Sequence, residues 1–357
     1  MKNMSAKAFN IVTIALTIVL LVSFALIQFS VDPLFHYHGL QDKYQYPLYD
    51  ERYMNYGIVK NFEYNSIITG TSMTENFMAS MFDDLYNTET IKVPFAGGSY
   101  KEINDLLVKA YSSDNRIDYV LRSLDLSGLI EDKDYLDSED YPSFLYDNNP
   151  FNDVQYLLNK EIYSQFTEYV FTFNRLGGNT TDFDTYKNWA YEYTYDADEL
   201  LNSYSREEAS GQTIPLSDED ITLLTDNLKQ NVIALAEEHP ETQFLLFDPP
   251  YSILHFDKIN QRGELERNIE ALRLEAQILS SYPNIHFYSF YDDTEKICDL
   301  NNYKDSIHYS QDISNYIMHA IACGEHKVTA GNLDEYYDNM LSFYSTYDYD
   351  SLISSNN

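Results

Sequence analysis

A serine hydroxyl, an imidazole and a carboxylate together can move an acyl group through a covalent ester, and this chain carries all three where such chemistry needs them. Ser72 lies in Asn65-Ser-Ile-Ile-Thr-Gly-Thr-Ser-Met-Thr-Glu-Asn-Phe77. Ile67 and Ile68 favour a buried strand, Gly70 permits a sharp turn, and Met73 to Met81 is helix-forming, so backbone N–H groups are expected beside the Ser72 hydroxyl. An oxyanion formed there would be stabilised. Asp305-Ser-Ile-His308 supplies the other two groups from one loop, which feeds an amphipathic helix. Imidazole takes the serine proton, and the carboxylate fixes its tautomer. Taken singly, each stretch also fits a plainer part: Ser72 as a helix cap, and Asp305 and His308 as members of a solvated loop.

These residues need a frame that brings distant segments together. Strand signals at Ile67–Ile68, Thr90 to Val93, Ile117 to Asp125, Gln243 to Phe247 and Ile285 to Phe290 alternate with amphipathic stretches. Ile103, Leu106, Leu107 and Ala110 mark one helix face, and Ile221, Leu224, Leu228, Val232 and Leu235 another. Such alternation predicts an α/β fold, a doubly wound five-stranded parallel sheet whose ligands sit beyond the carboxyl ends of the strands. Ser72, Gly98 and Asp125 fall at those ends, as does the turn Asp248-Pro-Pro-Tyr251-Ser252, whose Tyr251 and Ser252 are candidates for shaping an acyl pocket.

The order of these blocks resembles the SGNH/GDSL hydrolase family over Asn61 to Ile130 and Thr222 to Cys323. The resemblance implies Ser72 as nucleophile, His308 as general base and Asp305 as its orienter, on a flavodoxin-like sheet without a cofactor or metal. It also implies an oxyanion donor after the second strand, where Val93-Pro-Phe-Ala-Gly97-Gly98-Ser99-Tyr100 offers Gly97 or Gly98 beside the Ser72 N–H. The Asn that such proteins carry after the third strand is absent from Val120-Leu-Arg-Ser-Leu-Asp125-Leu-Ser127-Gly128. Asn76, Ser127 or a water could substitute, and Asp125 and Ser127 are expected to meet substrate. The departure is shared with membrane-anchored relatives that handle acyl groups on cell-envelope polymers, including the D-alanyl-lipoteichoic acid transfer protein. Those relatives often work beside a membrane-bound O-acyltransferase. The implied activity is an extracytoplasmic serine esterase or O-acyltransferase acting on an envelope glycan or polymer; the rival is a non-catalytic surface or assembly protein keeping the same fold.

Phe9 to Phe29 is an uncharged run of 21 residues, which as a helix spans roughly 32 Å, enough for a bilayer core. Bulky residues stand where a signal peptidase would need small ones, so an uncleaved signal anchor is expected. Lys2 and Lys7 before the span and Asp32 after it orient residues 1–8 to the cytoplasm and the rest outward. Beyond the span (9–29) the expected organisation is a membrane-proximal linker (30–60), the α/β domain (61–325) with a helical insertion at 131–213, and an acidic, Tyr-rich tail (326–357).

The formal net charge of −34 excludes nucleic acid as a partner and favours a neutral glycan or small acyl donor over polyphosphate. Cys298 and Cys323 flank the Asp-x-x-His loop and its helix, either as one disulfide or as two thiols. His36-Tyr-His38 is the nearest approach to a metal-ligand spacing and is assigned to the stalk, while Asn179-Thr-Thr181 fits a glycosylation acceptor.

Overall fold

The computed structural model describes residues 5–136, 141–147 and 149–354. Five strands, β1 (Ser66–Thr69), β2 (Thr90–Lys92), β3 (Tyr119–Ser123), β4 (Gln243–Asp248) and β5 (Ile285–Ser289), form one parallel sheet in the order β2-β1-β3-β4-β5. Every pairing is parallel, with Ile67 opposite Ile91 and Val120, and Leu245 opposite Leu121 and His286. The strands are near-continuous apolar runs because helices cover both faces of the sheet. Ile67, Ile68, Val120, Leu121, Leu246 and Phe247 are all buried. The chain reverses direction across the sheet after β2, so the carboxyl ends of β1 and β3 flank the crevice where this topology places ligands.

The backbone clusters into two compact units, Met1–Phe62 with Asp140–Asp182, and Glu63–Glu139 with Phe183–Asn357. The sheet belongs to the second. The stretch read as one insertion at 131–213 is thus divided between them, its segments from Phe183 onward clustering with the sheet. In the first unit a 26-residue helix, Ala6–Val31, is long and apolar enough to cross a bilayer. The stretch assigned to the linker contains a helix, Glu51–Asn61, started by the Asp50 carboxylate accepting from the Tyr53 N–H. Asp50-Glu51 was the available signal, an N-cap followed by an acidic first turn.

The acidic, Tyr-rich C-terminal stretch carries a helix that packs on the sheet's own unit. Helix Leu333–Thr346 packs on helix Leu265–Leu279 and buries Tyr337, Met340 and Tyr344. Tyr344 stacks on Phe256 with ring centroids 3.7 Å apart and donates its hydroxyl to the Tyr291 carbonyl at 2.5 Å. Cys298 and Cys323 are both free thiols. Replacing a fully buried, stacked aromatic removes packing and leaves a cavity, so Tyr344→Ala is expected to cost about 3–5 kcal/mol. Equilibrium urea denaturation checks this, and an unchanged midpoint would show that the C-terminal helix is not part of the cooperative fold.

Candidate active site

Gly70 ends β1 with φ +145°, and a Cβ there would lie 2.2 Å from the Ser123 hydroxyl. Only glycine allows β1 to turn this close to β3. The helix expected from Met73 to Met81 does not form. Ser72 opens a single 3-10 turn, Ser72–Thr74, and an α-helix resumes only at Ala79. The reason is Lys92, fully buried at the end of β2. Its ammonium draws in the Glu75 and Phe77 carbonyls at 2.5 and 2.9 Å, so they do not propagate a helix.

The Ser72 Oγ lies 2.9 Å from His308 Nε2, and His308 Nδ1 lies 2.7 Å from Asp305 Oδ2. An ionised carboxylate only accepts, so Nδ1 carries the ring proton and Nε2 is left to accept from the serine hydroxyl. Asp305 Oδ1 also accepts the backbone N–H groups of Ile307 and His308, each at 2.9 Å. Burial pushes the Asp305 carboxyl up, but the hydrogen bonds and charge of His308, with the two backbone donors, outweigh it and hold the group down to about 2.

Three contacts fix this loop against the strand ends. Tyr309 donates its hydroxyl to the Met73 carbonyl at 2.7 Å, joining the histidine segment to the serine turn. Gln311 Nε2 donates to the Asn76 carbonyl at 2.7 Å. Ser252 donates both its hydroxyl, at 2.8 Å, and its N–H, at 3.1 Å, to the Ser306 carbonyl. Ser252 is therefore buried behind the loop, not a wall of the acyl pocket. Asn76 does not reach that pocket either: its side-chain oxygen accepts the Trp189 and Ala190 N–H groups, and it is not among the residues that line the cleft.

A cleft of about 490 Å³ opens at Ser72 and His308, walled by Gly97, Gly98, Asp125, Ser127 and Tyr251 among others. Gly98 donates its N–H to the Phe95 carbonyl at 2.8 Å. Among the described residues the Gly97 and Ser72 N–H groups have no such acceptor. Gly97 takes φ +62° in the turn that presents it. Behind it the N-terminus of helix Tyr100–Tyr111, capped by the Ser99 hydroxyl, adds partial positive charge to the cleft wall.

Asp125 stands at the β3 end of the cleft with three hydroxyls around its carboxylate: Tyr251 at 2.6 Å, Thr71 at 2.9 Å and Ser123 at 3.1 Å. Burial raises its pKa, only partly opposed by those donors and by His308. Glu131 and Tyr135 also reach the cleft, and among the described residues no lysine or arginine lines it. Sequence reading missed Thr71, Ser123, Glu131 and Tyr135, because none carries a pattern of its own. Trp189 sets its ring edge-on to His308 at 5.5 Å and donates to the Glu75 carboxylate at 2.5 Å. The Lys304 ammonium covers Trp189 and Tyr193 at 3.7 and 4.0 Å from their centroids. No group of His, Cys, Asp and Glu side chains with metal-binding geometry occurs among the described residues.

No family model and no curated protein matches the chain. Among solved structures it is similar to one described as "a putative platelet activating factor from Streptococcus pneumonia", at 13% identity and a TM-score of 0.35, covering 90% of this chain and 99% of that one. The geometry therefore carries the functional reading by itself.

The depressed Asp305 carboxyl predicts a pH signature. A folded pKa below the unfolded value of about 3.9 contributes stability above that pH. That contribution is lost as pH falls towards about 2, the folded value. Its size is small, because 46% of the Asp305 side chain is exposed and solvent screens the pair. Asp305→Asn is expected to flatten this part of the acid limb in urea denaturation measured across pH. An acid limb identical to that of the wild type would mean that the carboxylate is not held by His308 in solution.

Proposed function

We propose that the protein is a membrane-anchored, SGNH-like serine hydrolase or O-acyltransferase. The observation that carries the reading is the unbroken hydrogen-bonded line from Ser72 Oγ through the His308 ring to Asp305, open to a cleft at the carboxyl ends of the strands. His308 Nε2 takes the Ser72 proton as Oγ attacks an ester carbonyl, and the Ser72 and Gly97 N–H groups receive the oxyanion. Collapse expels the alcohol, which takes the proton back from His308 and leaves an acyl-serine. Water or a sugar hydroxyl, deprotonated by the same imidazole, then releases the acyl group. Asp305 stays ionised and stabilises the imidazolium.

The lining favours a neutral or amine-bearing acyl group, since the Asp125 carboxylate, ringed by the hydroxyls of Tyr251, Thr71 and Ser123, stands in the cleft wall. A cell-envelope glycan is the acceptor that suits an outward-facing enzyme, and a membrane-bound O-acyltransferase would be its acyl source. Helix Ala6–Val31 acts in this reading as the anchor, with the catalytic unit outside the cell.

The test uses the full-length protein in detergent and a fluorophosphonate probe, which labels an activated serine without knowledge of the substrate. Wild type is expected to label and Ser72→Ala not to label, with unchanged thermal melts. His308→Ala should slow labelling by a factor of about 10^6 and Asp305→Asn by about 10^4, because the imidazole moves the proton and the carboxylate only orients it. Equal labelling of wild type and Ser72→Ala would remove Ser72 from the mechanism.

A further inference from the structure

The first unit presents a helix surface turned inside out with respect to water. At the end of helix Ala6–Val31, Gln28 is fully buried with its carbonyl oxygen 2.5 Å from the Thr167 hydroxyl, whereas its neighbours Leu26, Ile27 and Phe29 are exposed. Polar-in and apolar-out is the pattern of a surface that faces lipid. The segment covering Gln28 follows the helix over about one turn, since Tyr163 packs on Phe24 with ring centroids 4.9 Å apart.

Chain length places this surface in depth. At about 1.5 Å per residue, a hydrocarbon core of about 30 Å takes about 20 residues. Counted from the residue after Lys7, those end near Ile27. Leu26 to Val31 thus straddle the boundary between acyl chains and headgroups. There the helix forms a groove of about 470 Å³ with Tyr44 and Phe171. Aromatic rings at this level match the interfacial belt of membrane proteins. At its polar end the Lys43 ammonium lies 2.9 Å from the Ser30 hydroxyl and 4.9 Å above the Tyr44 ring.

We infer that this groove is a binding site for one anionic phospholipid of the leaflet at the C-terminal end of the helix. An acyl chain lies along Leu26, Ile27, Phe29 and Phe171, and the phosphate rests on Lys43. The groove is walled partly by the membrane helix itself, so the lipids around that helix reach it without leaving the bilayer. A single cation on a strongly acidic protein gives the site its headgroup preference. The inference rests on the anchor proposed above, but not on the chemistry at Ser72.

The experiment uses full-length protein in liposomes, with Trp189→Phe removing the native tryptophan, and lipids brominated high on the acyl chain as quenchers. Leu16→Trp, in mid-span, reports insertion. Phe171→Trp and Leu26→Trp report the groove, two variants from different segments guarding against local misfolding. Both groove reporters are expected to lose most of their emission. They should lose it at a lower mole fraction of brominated phosphatidylglycerol than of brominated phosphatidylcholine, and Lys43→Gln should abolish that difference. Quenching of Leu16→Trp with neither groove reporter quenched would overturn the site and leave the groove to a protein helix. Equal quenching by the two lipids would overturn the anionic headgroup. An unquenched Leu16→Trp would overturn the anchor itself, a result independent of fluorophosphonate labelling of Ser72, which is measured on the protein that keeps Trp189.

Discussion

The candidate site depends on one buried hydrogen bond, from the Tyr309 hydroxyl to the Met73 carbonyl. It joins the residue after the histidine to the residue after the serine, so the imidazole and the hydroxyl are held in register by their immediate neighbours. Both partners are buried. Losing the phenol would strand a carbonyl away from water, a penalty of about 1–3 kcal/mol on top of the lost packing. A hydrogen bond between two side chains tolerates little displacement, and here the tether is one residue away from both the serine and the histidine.

The same economy governs the turn that carries Ser72. A buried lysine is costly unless its donors are satisfied, and Lys92 is satisfied by the carbonyls that a helix after Ser72 would otherwise have used. The charge therefore finds partners, and the chain leaves the strand in a 3-10 turn with the serine at its first position. On the next strand over, Asp125 is desolvated but ringed by Thr71, Ser123 and Tyr251, each from the end of a different strand or its turn. The carboxyl edge of the sheet is thus bound together by polar side chains in addition to its apolar core.

The two units solve opposite solvation problems. Around the sheet, apolar strands are hidden and polar groups gather at one edge. Around helix Ala6–Val31, a glutamine is hidden and leucine, isoleucine and phenylalanine are displayed. The second arrangement is favoured by apolar surroundings.

The parallel five-stranded sheet was legible in the sequence because β-branched runs and 3.6-residue periodicity report burial directly, and the alternation of the two leaves few topologies. Ser72, Asp305, His308 and the glycine turn were legible for a related reason. Each sits at a point where the periodicity breaks, and their residue types are few. What the sequence could not determine was where side chains without periodic constraint would point. Asn76 and Ser252 have suitable types near the right strand ends, but backbone groups of Trp189, Ala190 and Ser306 claim them. Of the two adjacent glycines, Gly98 spends its N–H on the Phe95 carbonyl. The bonds of Thr71 and Tyr251 to Asp125, the edge of Trp189 on His308 and the buried Gln28 are contacts between residues 54 to 139 positions apart. Local sequence fixes dihedral preference and burial pattern. Hydrogen-bond partners at that separation are chosen only when the tertiary fold decides which groups must do without water.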